Sequence, residues 1–277
     1  MAADGAPGPN RTAAGDGAAS AARPRRSAPD MSAAPIAGTF VILGATGAVG
    51  STLARDLAGR GARLVLLARD EARLAELAGP LGARTGLLTD CRPSAVKDAL
   101  VAACGGESVT GIAHCVGSLF LKPAHRTTDA EWQDVLDVNL GSAFGVAMAV
   151  PEVMKQGGAV VFASSVAASV GLANHEAIAA AKAGIEGLAR SLAATHNRRG
   201  IRAHCVAPAL VESRMTAELL ARAGMREAAA KLNPTGRIGA PTDVARAMMF
   251  LLDPANSWLS GQVLGVDGGQ GVLRPLA

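Results

Sequence analysis

The segment "FVILGATGAVG", residues 40–50, holds four apolar residues in a row, then Gly44, Gly47 and Gly50, and is followed by "STLARDLAGRG" with helical spacing. A short, unbroken apolar run reads as a strand buried on both faces. Glycines three residues apart at its end read as a tight turn that opens a helix. The first N–H groups of such a helix have no partner within it, and the helix dipole places partial positive charge there. The unit is therefore built to receive an anion, and a Gly-rich turn between strand and helix fits a dinucleotide pyrophosphate.

The same alternation continues along the chain. "RLVLLAR", "GIAHCVG", "AVVFASS", "IRAHCVAP" and "GQVLGVDGG" are further apolar runs, separated by stretches of helical period such as "EARLAELAG". Buried strands alternating with amphipathic helices give βαβ units and a parallel sheet covered on both faces. We expect one α/β domain over residues 39–277, a Rossmann-like doubly wound parallel sheet.

Residues 1–38 differ. They are rich in Ala, Gly, Pro and Ser, with four Arg against three Asp (Asp4, Asp16, Asp30). Such a segment cannot bury enough surface to offset its chain entropy, so it reads as a disordered extension. It has no apolar core of a secretory signal, and its acids count against a transit peptide.

Composition narrows the function. The 277 residues are 49% hydrophobic and 3% aromatic, with net charge +4. No basic track or aromatic stripe points to nucleic acid. No apolar stretch is long enough to cross a bilayer. Cys91, Cys104, Cys115 and Cys205 are irregularly spaced, which argues for free thiols in a reducing, cytoplasmic setting and against a metal site.

The turn and strand ends supply the candidate cofactor residues. Gly44, Thr46, Gly47, Val49 and Gly50 would cradle the pyrophosphate. The second run ends in Ala68-Arg69, where an acid would hold the ribose 2′-hydroxyl of NAD; Arg69 instead offers a fork suited to a 2′-phosphate, so NADP(H) is expected over NAD(H). A solvated arginine is the plainer reading. Asp90, read as the end of the third strand, would accept from the adenine amino group; alternatively it caps the helix starting near Pro93.

With these residues in place, the sequence resembles the short-chain dehydrogenase/reductase family over about residues 39–270. The matching stretches include "GATGAVG", "AHCVG" (113–117), "DVNLGSAF" (137–144), "FASSVA" (162–167), "CVAPALVES" (205–213) and "GRIGAPTDVARAMMFLLD". The resemblance implies a cofactor pocket that also includes Cys91, Val116, Gly117, Asn139, Lys182, Pro208, Val211 and Ser213. It implies a catalytic set of Asn139, Ser165 and Lys182 together with a tyrosine, and a homo-tetramer or dimer. The chain contains no tyrosine. Counted from Ser165 or from Lys182, the family's tyrosine falls on Ile178.

Proton transfer to a carbonyl oxygen needs an acid, and Ile178 is not one. His175 lies seven residues before Lys182, close to two helical turns, and would share its face. The enoyl-thioester reductases of the same superfamily carry their tyrosine at that offset. Imidazole suits acid–base work near neutrality. The plainer reading makes "NHE" a helix start, with Asn174 as N-cap. His204, on a buried strand, reads as a core residue. Residues 209–235, rich in Ala and Leu with Met215 and Met225, read as an apolar substrate loop.

The expected activity is an NADP(H)-dependent oxidoreductase working on a small, apolar carbonyl/alcohol pair or an enoyl group. A non-catalytic NADP(H)-binding sensor is the rival, and a lyase or epimerase on the same fold a weaker third. The helix expected from residue 174 to about 196 is apolar on more than one face, which supports a homo-oligomer.

Overall fold

The computed structural model describes residues 35–274; up to residue 34, the extension expected over 1–38 lies outside the described residues. Packed chain begins slightly before residue 39: Ile36 is buried and its N–H bonds to the carbonyl of Arg60 at 2.9 Å.

Seven strands form one parallel sheet in the order β3-β2-β1-β4-β5-β6-β7. They are β1 (Thr39–Leu43), β2 (Arg63–Ala68), β3 (Arg84–Leu87), β4 (Gly111–His114), β5 (Gly158–Ala163), β6 (Ile201–Pro208) and β7 (Val263–Val266). The period of two along each strand decides which residues meet which helices. Val41, Leu43, Val65, Leu67, Ile112, Val160 and Phe162 pack with α3 (Pro93–Cys104), α5 (Ser142–Val153) and α6 (Glu176–His196). Phe40, Ile42, Leu64, Leu66, Ala113 and Val161 pack with α1 (Ala48–Gly59), α2 (Glu71–Leu81) and α9 (Pro241–Leu252). The central strands are apolar on both faces because each face has its own helical layer, as the unbroken apolar runs required.

The runs in the sequence give six of these strands. The seventh, β3, is short and mostly exposed at the sheet edge. Its four residues, Arg-Thr-Gly-Leu, form no apolar run.

Strand order reverses between β1 and β4, which leaves a crevice at the carboxyl end of the sheet. The loops after β1, β2, β4, β5 and β6 all open there. The remaining helices are α4 (Asp129–Leu136), α7 (Arg214–Leu220) and α8 (Met225–Leu232). The last two make the expected substrate loop largely helical.

Candidate active site

The turn after β1 is held by its glycines. Gly44 sits at φ +75°, and a Cβ there would lie 2.7 Å from the backbone of Cys115. A Cβ on Gly50 would meet the carbonyl oxygen of Gly44 at 2.5 Å. The turn therefore closes onto the start of α1 only without side chains. Gly47 caps α1 and makes no side-chain bond to its first turn, which carries no acid. That first turn keeps its amides and positive dipole end for an anion, so the residues present fit a dinucleotide pyrophosphate. Thr46 and Val49 are half-buried along this turn.

The rim at β2 carries cations. Arg69 is exposed. Arg73, in the first turn of α2, reaches back and donates from Nη2 to the Thr46 carbonyl at 3.0 Å. Sequence reasoning missed Arg73: it reads as one of the polar positions of an amphipathic helix, and only the fold brings it to the turn after β1.

Asp90 lies three residues beyond β3, not at its end. It is not the cap of α3 either, since Arg92 occupies that position. Its Oδ1 accepts from the Arg92 N–H at 2.8 Å and its Oδ2 from Arg92 Nε at 2.8 Å. The Arg92 side chain holds the Asp90 carboxyl below the usual carboxylate range. Cys91 follows, half-buried, with its thiol pushed up chiefly by burial.

Asn139 belongs to a π-helical turn, Asp137–Gly141, between α4 and α5. Such turns place an extra residue in a helix and are frequent at functional sites. Asn139 is fully buried; its Nδ2 donates to Ser118 Oγ (3.0 Å) and to the Val135 carbonyl (2.9 Å), and its Oδ1 accepts from the Ser118 N–H at 3.3 Å. Behind it, His114 Nε2 and Ser142 Oγ are 2.8 Å apart, and Ser142 donates to the Val138 carbonyl at 2.6 Å. His114 therefore donates to Ser142 and braces the turn from the core.

Lys182 is 6% exposed, and its Nζ donates to the carbonyl of Ala163, the last residue of β5, at 2.9 Å. Burial pulls its ammonium down to about 8. A Cβ on Gly117 would stand 3.1 Å from Asn139 Oδ1 and 3.3 Å from Lys182 Nζ. The loop after β4, with Val116 half-buried against the core, thus brings Asn139 and Lys182 to the two sides of one glycine. Ser165 follows Ala163 by two residues, in extended backbone, and its Oγ accepts from the Ala167 N–H at 3.2 Å.

Ile178 is 5% exposed and packs in an apolar cluster with Val135, Ala177, Ala181 and Phe120. The helix carrying it starts at Glu176, two residues later than expected, because Asn174 adopts a left-handed φ of +63°. Asn174 is thus not the N-cap; His175 is, without a side-chain cap bond. The His175 ring is half-buried, and its Nδ1–H donates to the Ala173 carbonyl at 2.7 Å. That bond fixes the neutral tautomer and leaves Nε2 as the other nitrogen of the ring. His204 is a core residue as expected; its Nε2 accepts from Arg202 Nη1 at 3.3 Å, while its Nδ1 has no partner among the described residues.

Pro208 and Val211 line the exit of β6, where Glu212 N–H bonds to the Gly239 carbonyl at 2.9 Å. Ser213 caps α7: its Oγ accepts from the Thr216 N–H at 3.2 Å, and Thr216 Oγ1 donates to the Val211 carbonyl at 2.7 Å. Among the described residues no group of His, Cys, Asp and Glu is placed to hold a metal, and no helix is long and apolar enough to cross a membrane.

Comparison with known proteins agrees with this geometry. Residues 44–270 match the family described as Enoyl-(Acyl carrier protein) reductase. An uncharacterized oxidoreductase of Mycobacterium tuberculosis is 35% identical over 83% of this chain and 90% of its own length. The galactitol 2-dehydrogenase (L-tagatose-forming) of Cereibacter sphaeroides is 32% identical over 82% of this chain and 92% of its own. A solved short-chain type dehydrogenase/reductase from Mycobacterium ulcerans superposes with a TM-score of 0.79 at 26% identity, covering 85% of this chain and 90% of that one.

Proposed function

The chain belongs to the short-chain dehydrogenase/reductase family of oxidoreductases, and on that premise we propose that it is an NADP(H)-dependent enzyme acting on an apolar carbonyl/alcohol pair. The observation that carries this reading is the pairing of Asn139 and Lys182 across Gly117, beside the β5 end that presents Ser165. A module that only bound a dinucleotide would have little use for Ser165 there.

When bound, the nicotinamide supplies or accepts a hydride at the substrate carbon. The protein's share is binding, orientation and the proton. The turn after β1 and the start of α1 take the pyrophosphate. Arg69 takes the 2′-phosphate, and Asp90 the adenine amino group. Val116, Gly117, Pro208, Val211 and Ser213 border the nicotinamide. Ser165 orients the substrate oxygen, and Lys182 holds positive charge where that oxygen becomes negative. The half-exposed Met215 on α7 gives the substrate side an adaptable apolar wall.

We also propose a homo-oligomer, a tetramer or dimer. Phe144 on α5, 49% exposed, lines an apolar hollow with Leu140, Gly184 and Leu188, and Met148, 39% exposed, follows one turn later on the same helix; a second copy would cover this face.

The test is oxidation of NADPH and NADH against ketones, aldehydes and enoyl thioesters, with cofactor binding measured separately by calorimetry. Turnover with NADPH well above that with NADH supports the reading. Tight NADPH binding with no turnover on any of them favours the sensor reading instead.

A further inference from the structure

A carbonyl oxygen that gains negative charge must receive a proton, and the chain has no tyrosine to give it. The titratable groups near Lys182 and Ser165 are few. His114 is fully buried and spent on Ser142. Cys115, on the other side of the loop after β4, points its Sγ at Met248 Sδ, 3.6 Å away. Cys205 on β6 turns its Sγ toward the Ile185 carbonyl at 3.8 Å. Glu186, one turn along α6, accepts from Ser164 Oγ at 2.8 Å. His175 is tied to its own loop at the helix start through Nδ1.

Lys182 is different. Its aliphatic stem is buried and its Nζ is anchored by one bond, to the Ala163 carbonyl. An ammonium has three N–H donors. The remaining space at Nζ is kept open by Gly117, where a single methyl would come within 3.3 Å. The anchoring carbonyl ends β5, two residues before Ser165, so the ammonium and the substrate-orienting hydroxyl hang from the same short stretch of chain. Ile178, one turn earlier on α6, is folded into the apolar cluster with Val135 and Phe120 and inserts no hydroxyl between them.

We propose that Lys182 is itself the proton donor and acceptor of the reaction, its ammonium giving a proton to the oxygen oriented by Ser165. The proposal rests on the oxidoreductase reading above. As hydride arrives at the carbonyl carbon from the reduced nicotinamide, the C=O π pair moves to oxygen. That oxygen takes a proton from Nζ, one N–H bond breaks as one O–H bond forms, and the neutral amine left behind is reprotonated from solvent. In the reverse direction the amine takes the hydroxyl proton. Burial brings the ammonium to about 8, close enough to neutrality for both forms to be used.

Two measurements on the full chain test this. The first needs no cofactor. The sequence has five lysines, Lys97, Lys122, Lys155, Lys182 and Lys231, so ε-¹³C-lysine labelling gives five resonances, with Lys182 assigned from Lys182→Arg. The Lys182 signal should titrate near pH 8, below the ordinary lysine range. The second is NADPH-dependent reduction of cyclohexanone and ethyl acetoacetate. The rate should fall through the pH at which the Lys182 signal titrates. Lys182→Arg keeps the charge but cannot release a proton, so its kcat should fall about 10²–10⁴-fold, the usual worth of general acid–base catalysis. Methylamine should restore part of the turnover of Lys182→Ala.

A Lys182→Arg variant as active as the native chain overturns the proposal and leaves the oxidoreductase reading intact. So does a pH limb that persists in Lys182→Arg and vanishes in His175→Ala. A native chain that reduces neither ketone, nor any member of the wider panel, overturns both.

Discussion

Arg73 donates from Nη2 to the carbonyl of Thr46 at 3.0 Å, tying the first turn of α2 to the turn after β1. Arg69, four residues earlier, stands exposed at the tip of β2. The two guanidiniums flank one rim of the cofactor crevice but have different work. Arg69→Ala is expected to weaken NADPH binding by about 1.5–3 kcal/mol, the range for hydrogen bonds to charged groups, and to leave NADH binding nearly unchanged. Calorimetry with both cofactors checks this, and equal losses would remove the case for a 2′-phosphate site.

Arg73→Ala is expected to weaken both cofactors together. Its bond to Thr46 shapes the turn proposed for the pyrophosphate, which the two dinucleotides share. The loss should be about 0.5–1.5 kcal/mol, the net worth of a hydrogen bond. A loss confined to NADPH would instead place Arg73 on the 2′-phosphate.

Acidification below about pH 6.5 should destabilise the fold through two buried histidines. Burial, then the nearby Lys182, pushes the His114 imidazole down to about 3; burial, then Arg202, pushes His204 down to about 4. In the unfolded chain both take up a proton near pH 6.5. Between there and pH 3–4 the unfolded state binds more protons than the native state, so stability is full above about pH 6.5 and falls as pH drops through that window. Each histidine contributes up to about 1.4 kcal/mol per pH unit. Urea midpoints measured from pH 7 to 4.5 should decline steadily; a flat profile would mean that one or both rings are protonated in the fold.

Strand and helix identity were legible because their signals are local. Unbroken apolar runs, the glycines at 44, 47 and 50, and helical periods each report on a few neighbouring residues. What was not legible depends on neighbours far apart in sequence. The mostly exposed strand β3, Arg84-Thr85-Gly86-Leu87, has no apolar run to announce it and is defined by its pairing with β2. Asp90 reads as a strand end or a helix cap from its distance along the chain, yet it lies three residues beyond β3 and Arg92 takes the cap position. Helical geometry and the offset of the enoyl-thioester reductases set His175 on the face of Lys182; in the structure the helix starts one residue after the histidine, behind the left-handed Asn174, and the ring's Nδ1–H donates to the Ala173 carbonyl. Likewise, Ser142 and His114 carry no motif; their bracing of the Asn139 turn exists only once β4 and α5 are packed.

The substrate side should respond separately from the cofactor side. Thr216 Oγ1 donates to the Val211 carbonyl at 2.7 Å and shares a reciprocal cap with Ser213 at the start of α7. Thr216→Val removes the hydroxyl's bonds to the Val211 carbonyl and from the Ser213 N–H while keeping the volume; the bond from the Thr216 N–H to Ser213 Oγ stays. The expected cost is about 0.5–2 kcal/mol of stability, as for other lost caps. KM for the ketone should rise more than the dissociation constant of NADPH. A change in NADPH affinity alone would make the cap a part of the cofactor site.

Ile178→Tyr tests what the missing tyrosine means. If Ile178 bordered an open cleft, a phenol there would restore the family's acid and raise the rate on simple ketones. Instead Ile178 is 5% exposed, enclosed by Val135, Ala177 and Ala181, with Phe120, Leu136 and Leu140 packed against them. A tyrosine ring is larger than this site accommodates, and its hydroxyl would enter apolar surroundings. Overpacking a filled site of this kind costs about 1–3 kcal/mol, and a buried hydroxyl without a partner adds to that. The variant should therefore unfold at lower urea than the native chain and reduce cyclohexanone no faster. A variant of native stability with a higher rate would show that the ring has turned into the cleft, and that Ile178 lines the active site after all.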